Sequence, residues 1–294
     1  MAEKLTLVVT CTDRKSARPV DSLRVGNLPP APMPERARQW RDALHEQNTR
    51  TPLRRLYQGD AWTQVLKLEE SARRAGFDPT LLVASAGLGL VSADEEWPAY
   101  AATFSPRHPD SIGASGTENR EWWRLMTDGQ TNFEEQVTGQ TLLVLSETYS
   151  TAMTDDLNKL DMRDDVVVFG GSAAVSKHLR IPADHGLRTA LGGTSGSLNL
   201  RTATAWVTSL PAPTLVGNRE HEKWRNWVRA TRKPESYNRV PMSDADILDF
   251  LRDIRRRHPD ISKTRALRTL RDDGSACEQK RFGGLFSTAV KEMK

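Results

Sequence analysis

Apolar residues along the chain follow two spacings. Short apolar runs with turn residues after them stand at Leu5–Cys11, Thr80–Ala86, Thr141–Ser146 and Asp165–Phe169, the pattern of strands covered on both faces in a parallel sheet. Between them, helical spacing recurs over Pro34–Gln47, Asp60–Ala75, Glu118–Thr127 and Thr148–Leu160. Strands alternating with helices predict βαβ crossovers, and hence an α/β domain of three layers, α/β/α, with a mainly parallel sheet. Ligands of such sheets bind at the carboxyl ends of the strands. The loops after Cys11, Ala86, Ser146 and Phe169 are therefore where chemistry is expected.

A different pattern starts at residues 211–218 (PAPTLVGN), where two prolines and a glycine read as a boundary. It divides an α/β domain over 1–212 from a small basic all-α module over 213–294. The spacing there predicts helices over Arg219–Thr231, Asp244–Arg257, Lys263–Arg271 and Lys280–Lys291, with Ser243 and Ser262 as N-caps of the second and third. Ile247, Leu248, Leu251 and Ile254 form one stripe, with Arg252, Arg255, Arg256 and Arg257 largely off it. The next helix sets Ala266, Leu267 and Leu270 beside Arg265, Arg268 and Arg271. Short helices with basic outer faces suit a helix-turn-helix-like bundle and equally a protein-interaction module.

Charge sharpens this division. The net charge of +4 conceals 19 Lys/Arg against 12 Asp/Glu from residue 216 onward, or +7, which leaves −3 for the first 215 residues. A basic module on a mildly acidic body predicts an anionic partner, nucleic acid foremost, although solvated helices also carry Arg and Lys in excess. Arg255, Arg256, Arg265, Arg268, Lys280 and Arg281 are the expected DNA-binding residues. No run approaches the roughly 18 apolar residues of a membrane span, so no membrane partner is expected. The first apolar stretch is too brief for a signal-peptide core. Cys11 and Cys277 are the only cysteines and lie far apart, without Cys/His pairs at ligand spacing. Neither a disulfide framework nor structural zinc is expected, and a reducing cytoplasm fits.

Several motifs fall at the predicted strand ends. In Val9-Thr10-Cys11-Thr12-Asp13-Arg14-Lys15 a buried strand opens into a carboxylate beside two cations. Such a loop holds an anion, or lets Asp13 orient a water or stabilise developing positive charge; the plain alternative is a solvated turn. In Leu56-Tyr57-Gln58-Gly59-Asp60-Ala61-Trp62, Asp60 reads as a helix N-cap, and Tyr57 and Gln58 fall just before the helix start, where a base or phosphate can rest. In Ala84-Ser85-Ala86-Gly87-Leu88-Gly89-Leu90-Val91, small residues allow a ligand close to the backbone. Asp94 beyond it is a second candidate acid, or the cap of a helix suggested by Glu95-Glu96-Trp97. His108 stands in a loop, and Gly192–Ser197 reads as a phosphate cradle before a helix through Arg201 and Trp206. Adjacent Trp122 and Trp123 are not expected to share one buried helix face, which leaves one for base stacking or a domain contact. GxSxG, HExxH, Walker A and a complete dinucleotide fingerprint are all missing, which counts against serine hydrolases, zinc proteases and P-loop ATPases.

A strand ending in Cys11 with Lys15 after it, then Leu56-Tyr57 with Gly59, then Ser85-Ala86 with Gly87 through Val91 resembles a family related to the YaaA proteins. That family in turn resembles the uracil-DNA-glycosylase-like domain found beside archaeal tRNA-guanine transglycosylases. The resemblance covers roughly residues 4–210, departs at Ala86-Gly87-Leu88-Gly89 and has no counterpart for Ser16–Pro32. It implies a three-layer fold used for DNA binding and, in some relatives, base excision. It also implies an antiviral setting, with a hypermodified phage base such as glucosylated hydroxymethylcytosine as substrate in DNA, double-stranded and modified. By that resemblance Asp13 takes the place of the carboxylate after the first strand, stabilising an oxocarbenium-like sugar and orienting water; Asp94 stays the second catalytic candidate on the reading of its own motif. Cys11, Thr12, Lys15, Tyr57, Gln58, Ser85, Gly87 and Tyr149 would line the base pocket. No metal and no cofactor are called for. A non-enzymatic DNA-binding stress protein and a nucleotide-processing enzyme are the competing readings, and Asp13, Asp60 and Asp94 remain open as the working carboxylate.

Overall fold

The structure is a computed structural model that describes residues 2–233 and 240–292. Six strands form one sheet: β1 (Glu3–Thr10), β2 (Phe77–Ser85), β3 (Gly89–Ser92), β4 (Gln140–Leu145), β5 (Val166–Gly170) and β6 (Arg180–Ile181). Their order is β3-β2-β1-β4-β5-β6, parallel except for the β2–β3 hairpin. β1 is central, with Thr10 level with Ala84 on one side and Val9 level with Val144 on the other. Leu5, Leu7, Val8 and Val9 are all buried, as the unbroken apolar run requires of a strand covered on both faces.

Helices α1 (Met33–Glu46), α2 (Asp60–Arg74), α3 (Gly116–Thr127), α4 (Glu147–Ala152), α5 (Leu198–Ser209) and α6 (Asn218–Thr231) are the main helices of the first unit. α2 packs on α5 in one layer, and α3 packs on both α1 and α4 in the other, which makes the domain a three-layer α/β/α fold. The chain leaves β1 towards β2 on one side and later returns to place β4 on the other. The order of strands therefore reverses at β1, and the crevice outside its carboxyl end is the topological switch point of the sheet.

Four expectations change. The helix expected over Thr148–Leu160 is broken at Met153 into Glu147–Ala152 and Thr154–Asn158. The Ser150 and Thr151 hydroxyls donate to the Glu147 carbonyl and that of Thr154 to the Thr151 carbonyl, a competition that weakens helix continuity. Glu95-Glu96-Trp97 opens no helix, because Glu96–Trp97 pairs with Thr51–Pro52 as a short antiparallel ladder. Trp122 and Trp123 are both buried, since α3 is covered by α1 on one side and α4 on the other; their indole N–H groups donate to the Ala86 carbonyl and to Asp156.

The fourth change concerns the boundary. The chain divides into compact units at residues 233/234, not 212/213. α6 belongs to the first unit because Trp224 is buried against Phe169 and Trp206, with ring centroids 6.3 and 5.3 Å away. The prolines at 211 and 213 mark a turn between helices of one domain. Charge moves with the boundary: residues 234–294 hold 13 Lys/Arg against 10 Asp/Glu, or +3, and residues 1–233 hold 29 against 28, or +1.

The second unit contains α7 (Asp244–Arg257), α8 (Lys263–Asp272) and α9 (Gln279–Glu292), with Ser243 and Ser262 capping as expected. Ile247, Leu251, Leu267, Leu270 and Phe282 form its separate core. A two-residue parallel pairing joins Val240–Pro241, before α7, to Ser275–Ala276, between α8 and α9, so the module is helical but not purely so.

Candidate active site

The carboxyl ends of β1, β2 and β4 bring together residues from six parts of the sequence. Cys11 follows β1, and its Sγ lies 3.0 Å from the Tyr149 hydroxyl at the start of α4. Ser85 ends β2, and its Oγ lies 2.5 Å from the Tyr100 hydroxyl, itself 2.5 Å from that of Tyr57. Ser85, Tyr57, Tyr100 and Tyr149 are all buried. Burial raises the three tyrosines well above the ordinary phenol range, so they stand as neutral hydroxyls. Ser85 Oγ also accepts the Gly87 N–H at 3.1 Å, which fixes the turn after β2.

Lys15 crosses this floor. Its Nζ donates to the carbonyls of Thr12 and Asp13 at 3.2 and 3.4 Å and stands 4.3 Å from the Tyr100 ring centroid. Burial pushes the ammonium below its ordinary range, while Cys11, Asp13 and Asp110 pull the other way. Lys15 thus braces the loop that carries Asp13. The Thr12 hydroxyl donates to the Arg14 carbonyl, and the Gln58 N–H donates to the same carbonyl from the neighbouring loop. Gln58 therefore joins the site through its backbone, and its side chain is exposed.

The three candidate carboxylates separate by position. Asp94 lies past the antiparallel β3, beside Ala93, whose N–H donates to the Leu81 carbonyl. That is about four residues back along β2 from Ser85, roughly 13 Å at the ~3.3 Å strand rise. Asp94 binds Arg54, which in turn grips the buried Glu69 through two contacts of 2.6 and 2.8 Å. It is part of an ion-pair network and not of the site. Asp60 is the first residue of α2 rather than its cap; Gly59, at φ +96°, takes the cap position. The Asp60 carboxylate accepts from the Ser197 hydroxyl at 2.7 Å and from Arg201 at 3.1 Å. Ser197, then Arg201, hold it below the ordinary carboxylate range. The expected phosphate cradle before α5 is thereby filled by the protein's own anion.

Asp13 alone of the three stands at the switch point. Its side chain is 74% exposed, and the His108 imidazole faces it, with Nε2 4.0 Å from Oδ2. His108 Nδ1 accepts the Asp110 N–H at 3.0 Å, so a neutral ring carries its proton on Nε2, towards Asp13. Asp110 is buried and held by Arg24 at 3.3 Å. The site therefore has an open carboxylate, a histidine facing it and a floor of hydroxyls and one thiol.

No family model, curated protein or solved structure matches the chain. Among the described residues, no three or more His, Cys, Asp or Glu cluster as metal ligands, and no helix is long and apolar enough to cross a membrane.

Two further residues shape the site: Tyr100, which follows the Ala84–Val91 motif without a role to be read from it, and Trp40, which has no local mark in the sequence. Trp40 is fully buried and donates its indole N–H to the Gly87 carbonyl at 2.7 Å. Gly87 has no room for more: a β-carbon there would stand 2.6 Å from the Tyr100 ring. Gly87→Ala is expected to displace Tyr100 and cost about 1–3 kcal/mol. Urea denaturation checks this, and an unchanged midpoint would show that the turn has slack.

The expected DNA-binding residues of the second unit are unequal. Arg281 pairs with Asp244 at 2.5 Å, Arg268 lies 3.7 Å from Asp272, and Arg255 lies over the Phe286 ring with its Nε buried and unbonded. Arg256, Arg265 and Lys280 are exposed.

Proposed function

We propose that the protein is a DNA glycosylase that hydrolyses the N-glycosidic bond of a modified base, the class exemplified by glucosylated hydroxymethylcytosine. The observation that carries this reading is the Asp13 carboxylate, open to solvent at the switch point beside buried hydroxyls and the Cys11 thiol. Glycosidic cleavage draws on such a carboxylate. As the C1′–N bond breaks, its electron pair leaves with the base and the sugar becomes oxocarbenium-like. Asp13 stabilises the positive charge and orients the water that adds to C1′. The water supplies a hydroxyl to the sugar, and the proton balance closes on the departing nitrogen, for which the His108 Nε2–H is the nearest imidazole donor. Hydroxyls of Tyr57, Ser85 and Tyr149 and the Cys11 thiol supply neutral hydrogen-bonding groups for an extruded base.

The reading is tested by incubating the full chain with DNAs of differing base modification and scoring abasic sites by alkaline strand cleavage. Cleavage of one modified DNA, with unmodified DNA of the same sequence left intact, is the expected result. If every DNA is bound but none is cleaved, the protein is a non-enzymatic DNA binder. Activity on free nucleotides alone makes it a nucleotide-processing enzyme.

A further inference from the structure

α6 carries several exposed cations, with Glu222 exposed among them. Burial of Trp224 fixes the rotation of this helix, half-buries Val228 on the same side and leaves Lys223, Arg225, Asn226 and Arg229 exposed. Beside α6 a cavity of about 400 Å³ is lined by Lys177, Arg180, Arg225 and Arg229, with Asp184 its only acidic lining residue. Asp184 already lies 3.5 Å from Arg232. Arg229 reaches only the Asn226 side-chain oxygen, and Lys177, Arg225 and Arg229 have no carboxylate at ion-pair distance among the described residues. That contrasts with Arg252, Arg257, Arg268 and Arg281 of the second unit, each of which has one.

One further feature points to a ligand. His221 lines the same cavity, and its Nε2 is buried without a hydrogen-bond partner. Unpaired cations grouped along one cleft are the recognition chemistry of a nucleic-acid backbone, each neutralising a phosphate in place of a counterion.

We propose that the α6 cleft is the DNA-contacting surface of the α/β unit, with Arg225, Arg229 and Lys177 on phosphates. It lies by β6, three strands from β1, roughly 14 Å at the ~4.8 Å strand spacing. The inference takes the identity of the polymer from the glycosylase reading, but it needs none of that reading's chemistry.

The test is fluorescence anisotropy of the full chain with a labelled, unmodified 20-base-pair duplex across a salt series. Arg225→Glu/Arg229→Glu is expected to weaken binding about tenfold or more. It should also lower the salt slope by about 2, because each phosphate that a cation neutralises adds about 0.9 to it. The neutral pair Arg225→Gln/Arg229→Gln should show the same direction, which guards against a folding defect. Arg256→Glu/Arg265→Glu in the second unit should leave binding nearly unchanged. Wild-type binding by the α6 variants, a larger loss from the second-unit pair, or no salt-dependent binding by the wild type would each overturn the proposal. A protein that binds through α6 and releases no base keeps this inference while ending the glycosylase one.

Discussion

Asp13→Asn is expected to lower base release by ~10³-fold while leaving affinity for DNA unchanged. The substitution keeps the size of the side chain and removes the charge that faces the sugar in the transition state. Nothing in the fold opposes it: Asp13 is exposed, and Lys15 holds the loop through the Asp13 carbonyl, not its carboxylate. Asp60→Asn and Asp94→Asn serve as contrasts, since both carboxylates are bound to arginines outside the site. They should reduce stability while sparing the chemistry. Equal activity in Asp13→Asn and the wild type would remove Asp13 from the mechanism.

Trp40→Ala is expected to destabilise the α/β unit by about 3–5 kcal/mol, the range for emptying a fully buried large aromatic site. Trp40 also forms a wall of the site, edge-on to Tyr100 at 6.4 Å and bonded to the Gly87 carbonyl. Trp40→Phe keeps most of the packing but leaves that carbonyl without its donor, and about 1–3 kcal/mol is expected. All eight tryptophans precede residue 234, so their fluorescence follows the unfolding of this unit alone. A loss below about 1 kcal/mol for Trp40→Ala, well under the range for such a site, would mean that the site is not built on this side chain.

The sequence made the sheet legible because β1, β2, β4 and β5 are covered on both faces, and continuous burial writes continuous apolar runs. The boundary was harder. Pro211, Pro213 and Gly217 signal a turn, and a turn between packed helices carries the same residues as a linker between domains. Trp224 decides it, through contacts with Phe169 and Trp206 that no local pattern reveals.

The site was legible by halves for a related reason. Cys11, Asp13, Lys15 and Ser85 sit at strand ends, which topology alone marks as functional ground. Tyr100 and Trp40 reach the same place from a loop and a helix, through long-range packing. The choice among Asp13, Asp60 and Asp94 turned on partners distant in sequence: Arg201 for Asp60, Arg54 and Glu69 for Asp94. Gly192–Ser197 shows the converse case, where a motif that suits phosphate holds a carboxylate from α2.

The most direct measurement of the central claim is mass spectrometry of the small molecules released when wild-type and Asp13→Asn proteins are incubated with the genomes of phages that carry different base modifications. The account predicts one free modified base from the wild type, an equal count of abasic sites in the DNA, and neither product from Asp13→Asn. No released base from any genome, or the same yield from both proteins, would contradict it.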